Sequence, residues 1–216
     1  MDFELINHAY RAPALTQFDW LDHGFGTRHF EPPESLATLR QIHSGIIKYA
    51  DRTGCLSEGD VLLSDTPGLW VGVKTADCLP ILLVDARHRA VGAVHAGWRG
   101  AVHGIAHKTV EAMAGTWQSR PDDLHAAIGP GIGPCCFEVG PEVAVQFGKP
   151  AERTRIDLPD AVRRQLIEAG LSPERIYSAG LCTVCHRGQF HSFRRDREKA
   201  GRMISVIGVK SSPRNN

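Results

Sequence analysis

The chain has 216 residues, 42% of them apolar, with 25 basic and 24 acidic side chains and a net charge of +1. A chain of this length buries about 70% of its unfolded surface, so a core without disulfide staples is expected. The near-neutral balance, spread along the chain, gives no support to nucleic-acid or acidic-surface binding, and the longest apolar run, 79–84, is far too short to span a membrane.

The N-terminal Met1-Asp2-Phe3-Glu4 lacks the basic and apolar stretches of a signal peptide, so a cytoplasmic setting is expected. There, Cys55, Cys78, Cys135, Cys136, Cys182 and Cys185 read as structural, metal-binding or catalytic thiols rather than disulfides. Glu31-Pro32-Pro33-Glu34 reads as a loop. Apolar runs then predict strands over 61–64, 69–73, 79–84, 90–95, 124–128 and 203–209. Most are continuous rather than alternating, so both faces should be covered. Thr66-Pro67-Gly68 reads as a turn joining the first two as an antiparallel pair.

The spacing of Val102, Ile105, Ala106, Thr109, Val110 and Met113 predicts one helix over 101–116. Residues 141–147 are a second helical candidate. A third covers 160–169, with Asp160 as N-cap and Gly170 beyond its end. A short helix is expected after Ser172-Pro173. Strands interspersed with helices predict a single α/β domain over 1–210, layered α/β/α around a mixed sheet, with 211–216 as a frayed tail.

His95-Ala96-Gly97-Trp98-Arg99-Gly100 follows a predicted strand and opens a helix, a common setting for a reactive group. Seventeen residues earlier, Thr75-Ala76-Asp77-Cys78 interrupts two apolar runs in the same way. Cys78 and His95 at neighbouring strand ends can meet around a metal ion or as a nucleophile–base pair. His43, in Gln41-Ile42-His43-Ser44, adds a second imidazole. One sulfur and two imidazoles leave a fourth, exchangeable position, as in catalytic zinc sites. Asp77, an acid beside a buried strand, needs a partner.

Other motifs carry weaker signals. Gly129, Gly131 and Gly133 alternate through a loop able to turn N–H groups toward an anion, or simply to support a neighbouring site. Of the adjacent Cys135 and Cys136, one should face the core and the other the loop surface. Cys182-Thr183-Val184-Cys185-His186 matches covalent haem attachment, which the expected compartment excludes, or half of a zinc knuckle lacking a second C-x-x-C. His103 and His107 read as a solvated helix face. Arg194-Arg195-Asp196-Arg197 reads as a solvated or locally paired patch. Arg99, beside glycines at a helix N-terminus, suits an oxyanion or phosphate.

Three segments together resemble the signature of the YfiH/YlmD family, which carries the labels multicopper polyphenol oxidase and laccase domain. They are Thr75-Ala76-Asp77-Cys78-Leu79-Pro80, Val94-His95-Ala96-Gly97-Trp98-Arg99-Gly100, and Ile128-Gly129-Pro130 through Val139-Gly140. Gln41-Ile42-His43, Cys182-Thr183, Phe193-Arg194-Arg195-Asp196 and Gly201-Arg202-Met203 extend it over about residues 23–208. The resemblance implies a cytoplasmic α/β/α enzyme with zinc held by His43, Cys78 and His95. It implies phosphorolysis of adenosine, inosine, guanosine and methylthioadenosine, and hydrolytic deamination of adenosine, with a purine nucleoside and phosphate as partners.

In that reading Cys78, His95, His43 and Asp77 form the catalytic set. Arg28 and Arg99 take phosphate or the sugar, and Cys136 contacts substrate. Asp77 carries a proton or orients a ligand histidine. The chain departs from the family pattern between Arg28 and Gln41, which is shortened and expected to border the substrate, and at Ser44, where glycine is usual. Two rival readings follow. The fold is also similar to bacterial deamidating-toxin cysteine hydrolases, so Cys78 and His95 can be read as a metal-free amide hydrolase acting on peptidoglycan precursors, with the glycine loop as oxyanion donor. A copper-dependent polyphenol oxidase is disfavoured, with copper at most an in vitro occupant, because the sequence has neither a His-x-His pair nor a blue-copper ligand set.

Overall fold

A computed structural model describes residues 2–211. The expected tail, 211–216, lies outside them except for Ser211. The strands run β1 (Glu4–Ile6), β2 (Ala9–Arg11), β3 (Leu21–Gly26), β4 (Leu36–Arg40), β5 (Ile47–Tyr49), β6 (Gly54–Glu58) and β7 (Val61–Ser64). They continue as β8 (Trp70–Thr75), β9 (Leu79–Asp85), β10 (Ala90–Ala96), β11 (Leu124–Ile128), β12 (Glu138–Val139), β13 (Thr154–Arg155), β14 (Ile176–Ser178) and β15 (Met203–Val209). The helices are α1 (Trp98–Val102), α2 (Ile105–Trp117), α3 (Pro141–Ala144), α4 (Leu158–Glu168) and α5 (Phe193–Asp196).

Two mixed sheets result. One has the order β1-β2-β3-β15-β8-β4-β6, the other β14-β11-β9-β10-β7-β5. The inner strands of the six-stranded sheet, β7, β9, β10 and β11, are buried on both faces, as their continuous apolar runs require. From β9, Leu79, Ile81 and Leu83 join Ile105, Ala106, Val110 and Met113 of α2 and Val162 and Leu166 of α4 in one cluster. The alternate residues, Leu82 and Val84, pack with Val71 and Val73 of β8 and Phe25 of β3 in a second cluster between the sheets. The α/β class with mixed sheets therefore holds. Its layers are helices, six-stranded sheet and seven-stranded sheet, so the outer layer expected to be helical is a second sheet.

That second sheet changes one expected pairing. β7 and β8 lie in different sheets, so the 66–68 turn carries the chain between layers and closes no hairpin. β7 pairs instead with β10, and β8 with β15 and β4. The helix expected over 101–116 is broken. Gly104 sits at φ 71, a left-handed conformation that ends α1 at Val102 and starts α2 anew. α4 begins earlier than expected: Asp157 is the N-cap, accepting a 2.9 Å hydrogen bond from the N–H of Asp160, and Pro159 occupies the first turn, where its missing donor costs nothing. The segment after Ser172 makes only a 3₁₀ turn, Pro173–Arg175. Among the described residues no helix is long and apolar enough to cross a membrane.

Candidate active site

The β9–β10 register sets His95 opposite Pro80 and Ala96 opposite Leu79, so the end of β10 lies beside Cys78. The loop after β4 brings in His43. Its Nε2 lies 3.9 Å from Cys78 Sγ, and its ring meets that of His95 edge-on at 4.9 Å between centroids. The donor atoms of all three residues lie within 4.8 Å of one another. The trio expected from sequence is thus assembled.

Two backbone devices hold it. His43 has φ 59 and Asp77 φ 84, both left-handed without glycine's freedom, so each needs outside support. For His43 the support is the fully buried carboxylate of Asp60, just before β7. Asp60 accepts from the N–H of His43 at 3.1 Å, the N–H of Ser44 at 2.6 Å and the Ser44 hydroxyl at 2.7 Å. Asp77 accepts from the Thr183 hydroxyl and from the N–H of Arg194, both at 2.6 Å, while its carbonyl accepts from the N–H of Ile132 at 2.7 Å. That turn points Cys78 at the histidines. Gly97 completes the fit: a Cβ there would stand 3.0 Å from Cys78 Sγ and 3.0 Å from His43 Cδ2.

Asp60 also bonds His95 Nδ1 at 2.7 Å. This is the residue that sequence reasoning missed. Its only local signal is an acid directly before a buried strand, and its partner is 35 residues away. The bond assigns a proton to Nδ1 and leaves Nε2 as the nitrogen available to the cluster. The carboxylate orienting a cluster histidine is therefore that of Asp60, whereas that of Asp77 is spent on Thr183 and Arg194.

The electrostatics of the side chains alone follow from this packing. Burial alone would raise the Asp60 carboxyl, but its His95 and Ser44 hydrogen bonds outweigh burial and hold it at about 2. Burial would likewise raise the Cys78 thiol, but His43 and His95 bring it down to about 6. Burial would lower His95, yet Asp60 and Cys78 raise it to about 9. Cys78 is therefore a thiolate at neutral pH, ready as ligand or nucleophile.

A cavity of about 1000 Å³ opens over the cluster. His43, Cys78, His95 and Asp77 line it, with Trp98, Phe137 and Phe193 as aromatic walls and Arg40, Lys74, Arg99, Arg194, Arg197 and Arg202 as cations. Arg99 stacks over the Trp98 ring at 4.6 Å. The stretch 194–197, expected to be a solvated or paired patch, divides. Arg194 and Arg197 face the cavity. Arg195 pairs with Asp196 and donates to the carbonyls of Thr183, Val184 and Phe190.

Arg28 and Cys136 are placed elsewhere. Arg28 bonds the carbonyl of Arg187 and His191 Nδ1, and Cys136 turns to Cys185, 3.6 Å away between sulfurs. Neither is among the lining residues. Of the shortened segment, Leu39 and Arg40 border the cavity, as does Gln41 just beyond it. His107 pairs with Glu111 at 3.6 Å on a partly exposed face of α2.

The donor chemistry fits a metal. A thiolate and two imidazoles are borderline-soft ligands suited to zinc, and a tetrahedral ion with Zn–S about 2.3 Å and Zn–N about 2.0 Å needs donors roughly 3.5 Å apart, close to the His43–Cys78 spacing. His95 lies within 4.8 Å of both other donors.

These features define a two-sheet α/β protein with a Cys–His₂ cluster at the floor of a cationic cavity. The chain belongs to the family described as multi-copper polyphenol oxidoreductase laccase, whose pattern it matches over residues 25–210. Among its relatives is a purine nucleoside phosphorylase of Deinococcus radiodurans, 39% identical over 185 residues, 82% of this chain and 71% of that protein. Purine nucleoside phosphorylase YlmD of Geobacillus stearothermophilus is 39% identical over 69% of this chain and 59% of its own length. The corresponding Escherichia coli protein, YfiH, is 33% identical over 81% of this chain and 74% of its length.

Crystal structures agree. Bacillus licheniformis YfiH, described as a hypothetical protein, superposes with a TM-score of 0.89 at 28% identity, over 96% of this chain and 99% of that one. G. stearothermophilus YlmD gives 0.88 at 27% identity, over 97% and 99%.

Proposed function

We propose that this chain is a zinc-dependent purine nucleoside phosphorylase acting on adenosine, inosine, guanosine and methylthioadenosine, and that it also deaminates adenosine hydrolytically. The observation that carries the reading is the placement of His43, Cys78 and His95 in one cavity with arginines and aromatic rings. The cavity volume matches the upper end of small-molecule sites, about 300–1,000 Å³. Relatives named purine nucleoside phosphorylase in three bacteria support the substrate class.

In phosphorolysis a phosphate oxygen bonds to the ribose anomeric carbon while the bond from that carbon to the purine nitrogen breaks. The electron pair leaves with the base, which takes up a proton. Trp98, Phe137 and Phe193 offer faces for the purine. Arg99 and Arg194 are planar, permanently charged donors suited to phosphate. Asp60 keeps His95 in one orientation, so the cluster does not reorganise as substrate enters. Zinc held by His43, Cys78 and His95 would supply Lewis acidity at the cavity floor. The mixed nitrogen and sulfur set is the reason to prefer zinc, with copper the disfavoured in vitro occupant.

A second reading has its own observation. With Cys78 lowered to about 6 and His95 raised to about 9, the pair forms a thiolate–imidazolium couple, the activated state of a cysteine hydrolase acting on an amide. One experiment separates the two. Metal-analysed protein is incubated with adenosine, with and without phosphate, and the products are chromatographed. Phosphate-dependent adenine release establishes the phosphorylase, and inosine without phosphate establishes the deaminase. No nucleoside turnover, with a covalent acyl adduct on Cys78 from an amide substrate, overturns both in favour of the hydrolase.

A further inference from the structure

Outside the cavity, four of the remaining thiols converge. The sulfur atoms of Cys135, Cys136, Cys182 and Cys185 all lie within 4.8 Å of one another, with Cys135–Cys185 at 3.7 Å and Cys136–Cys185 at 3.6 Å. The sulfurs around one tetrahedral ion with Zn–S near 2.3 Å are roughly 3.8 Å apart. The adjacent cysteines, expected to split between core and surface, both turn into this cluster. They supply the second pair that the Cys182–Cys185 half-knuckle lacked.

The backbone around the four sulfurs is held in place. The N–H of Gly133 donates to Cys182 Sγ at 3.3 Å. Backbone bonds fix the two ligand segments independently of any ion: Thr183 N–H donates to the Gly131 carbonyl at 2.9 Å, and Gly131 N–H to the Leu181 carbonyl at 3.2 Å. Gly133 leaves the room needed, since a Cβ there would lie 3.2 Å from Cys182 Cβ and 3.4 Å from Cys135 Sγ. Arg195 donates to the carbonyls of Thr183 and Val184 at 3.0 and 3.1 Å, bringing positive charge to a centre that would carry four thiolates.

We propose that Cys135, Cys136, Cys182 and Cys185 hold one zinc ion in a closed, all-sulfur structural centre, separate from the cavity cluster. On binding, four metal–sulfur bonds form, the thiol protons pass to solvent, and no electron is transferred. The centre fastens the loop ending at Phe137, a cavity wall, to the turn whose Thr183 holds Asp77 and hence the approach to Cys78.

The test is native mass spectrometry of the full chain loaded with zinc, together with absorption after cobalt substitution. Cys135 and Cys185 are exposed, so Cys135→Ser/Cys185→Ser spares the core. It should bind one ion fewer than the wild type. If both clusters are filled, it should lose roughly four-fifths of the thiolate-to-cobalt absorption, and Cys78→Ala only about one-fifth. If the cavity cluster proves empty, the wild type should still hold one ion, retained by Cys78→Ala; the zinc reading of the active site then fails while this one stands. An unchanged ion count in Cys135→Ser/Cys185→Ser overturns the proposal. So does a disulfide among the four in the wild type, or alkylation of all four wild-type thiols at free-thiol rates in excess zinc.

Discussion

The two cysteine clusters of this molecule are built on opposite plans. The cavity cluster mixes one sulfur with two imidazoles, is oriented by a buried carboxylate, and lies at the floor of a cavity of about 1000 Å³. The other uses four sulfurs, has one backbone donor in the N–H of Gly133, and joins two loops. The first arrangement offers three protein donors and the second four, which is the difference between catalytic and structural tetrahedral metal sites. On the two proposals above, the same residue type serves reaction in one place and fastening in the other, and the neighbours decide which.

The widest separation is expected from removing one sulfur from each cluster. Cys78→Ala should lower turnover on the order of 10³-fold, about 4 kcal/mol of transition-state stabilisation, with the unfolding midpoint nearly unchanged. Cys185→Ala should do the reverse, lowering the midpoint while leaving most turnover. Steady-state rates and thermal melts on both variants check this. Near-normal turnover in Cys78→Ala would break the comparison at its centre.

Acid titration would blur it unless a third site is subtracted. His23 is buried and accepts a hydrogen bond from the N–H of Ala12 at Nε2, 2.9 Å. Burial, reinforced by Arg11 and opposed by Asp22, lowers it from 6.5 to about 4. Above pH 6.5 both folded and unfolded chains carry a neutral His23, and its share of stability is complete. As pH falls from 6.5 to about 4, the unfolded chain binds a proton that the folded chain refuses, costing about 3 kcal/mol. Urea unfolding at pH 7 and pH 4 should show this loss in the wild type and its absence in His23→Gln. What acid sensitivity remains then belongs to the two clusters and the other ionisable groups.

Asp60→Asn should sharpen the comparison from the cavity side. The amide keeps one acceptor oxygen, so either His95 and His43 on Oδ1 or Ser44 on Oδ2 loses its acceptor, and the charge facing His95 is gone. A 10–100-fold fall in metal affinity or turnover is expected. Ion counts should fall only for the ion that Cys78→Ala also removes. Loss of the all-sulfur ion as well would show that the clusters are not independent.

How far the sequence shows these features depends on how local the signal is. The inner strands over 61–64, 124–128 and 203–209 match their expected bounds because burial on both faces forces continuous apolar runs. Short edge strands such as β1 and β6 leave no such mark, since most of their residues face solvent. Gly104 breaks a helix whose apolar spacing runs straight through the break. His43, Cys78 and His95 could be picked out because each stands beside a strand end or in a distinctive motif. Asp60 could not, and neither could the pairing of Cys135-Cys136 with Cys182 and Cys185, because those partners meet only through the sheet register and the loop-to-turn contact.

The smallest expected effects come from two glycines that make room for the two clusters. An added Cβ at Gly97 would meet Cys78 Sγ and His43 Cδ2 at 3.0 Å, and one at Gly133 would meet Cys182 Cβ at 3.2 Å and Cys135 Sγ at 3.4 Å. Each change asks its neighbours to give by only a few tenths of an ångström, so neither is expected to unfold the chain. Gly97 leads into α1 at φ −74, a value any residue adopts, so Gly97→Ala costs nothing in the backbone and acts only through the contact. A displacement of that size at a reacting centre is expected to lower turnover roughly tenfold, about 1.4 kcal/mol. At Gly133 the same displacement falls on a joint. It should shift the melting temperature by a few degrees, about 1 kcal/mol or less, and leave the rate within about twofold. Rates and melts measured side by side should therefore cross, and equal loss of turnover in both variants would mean that the all-sulfur cluster shares in the chemistry.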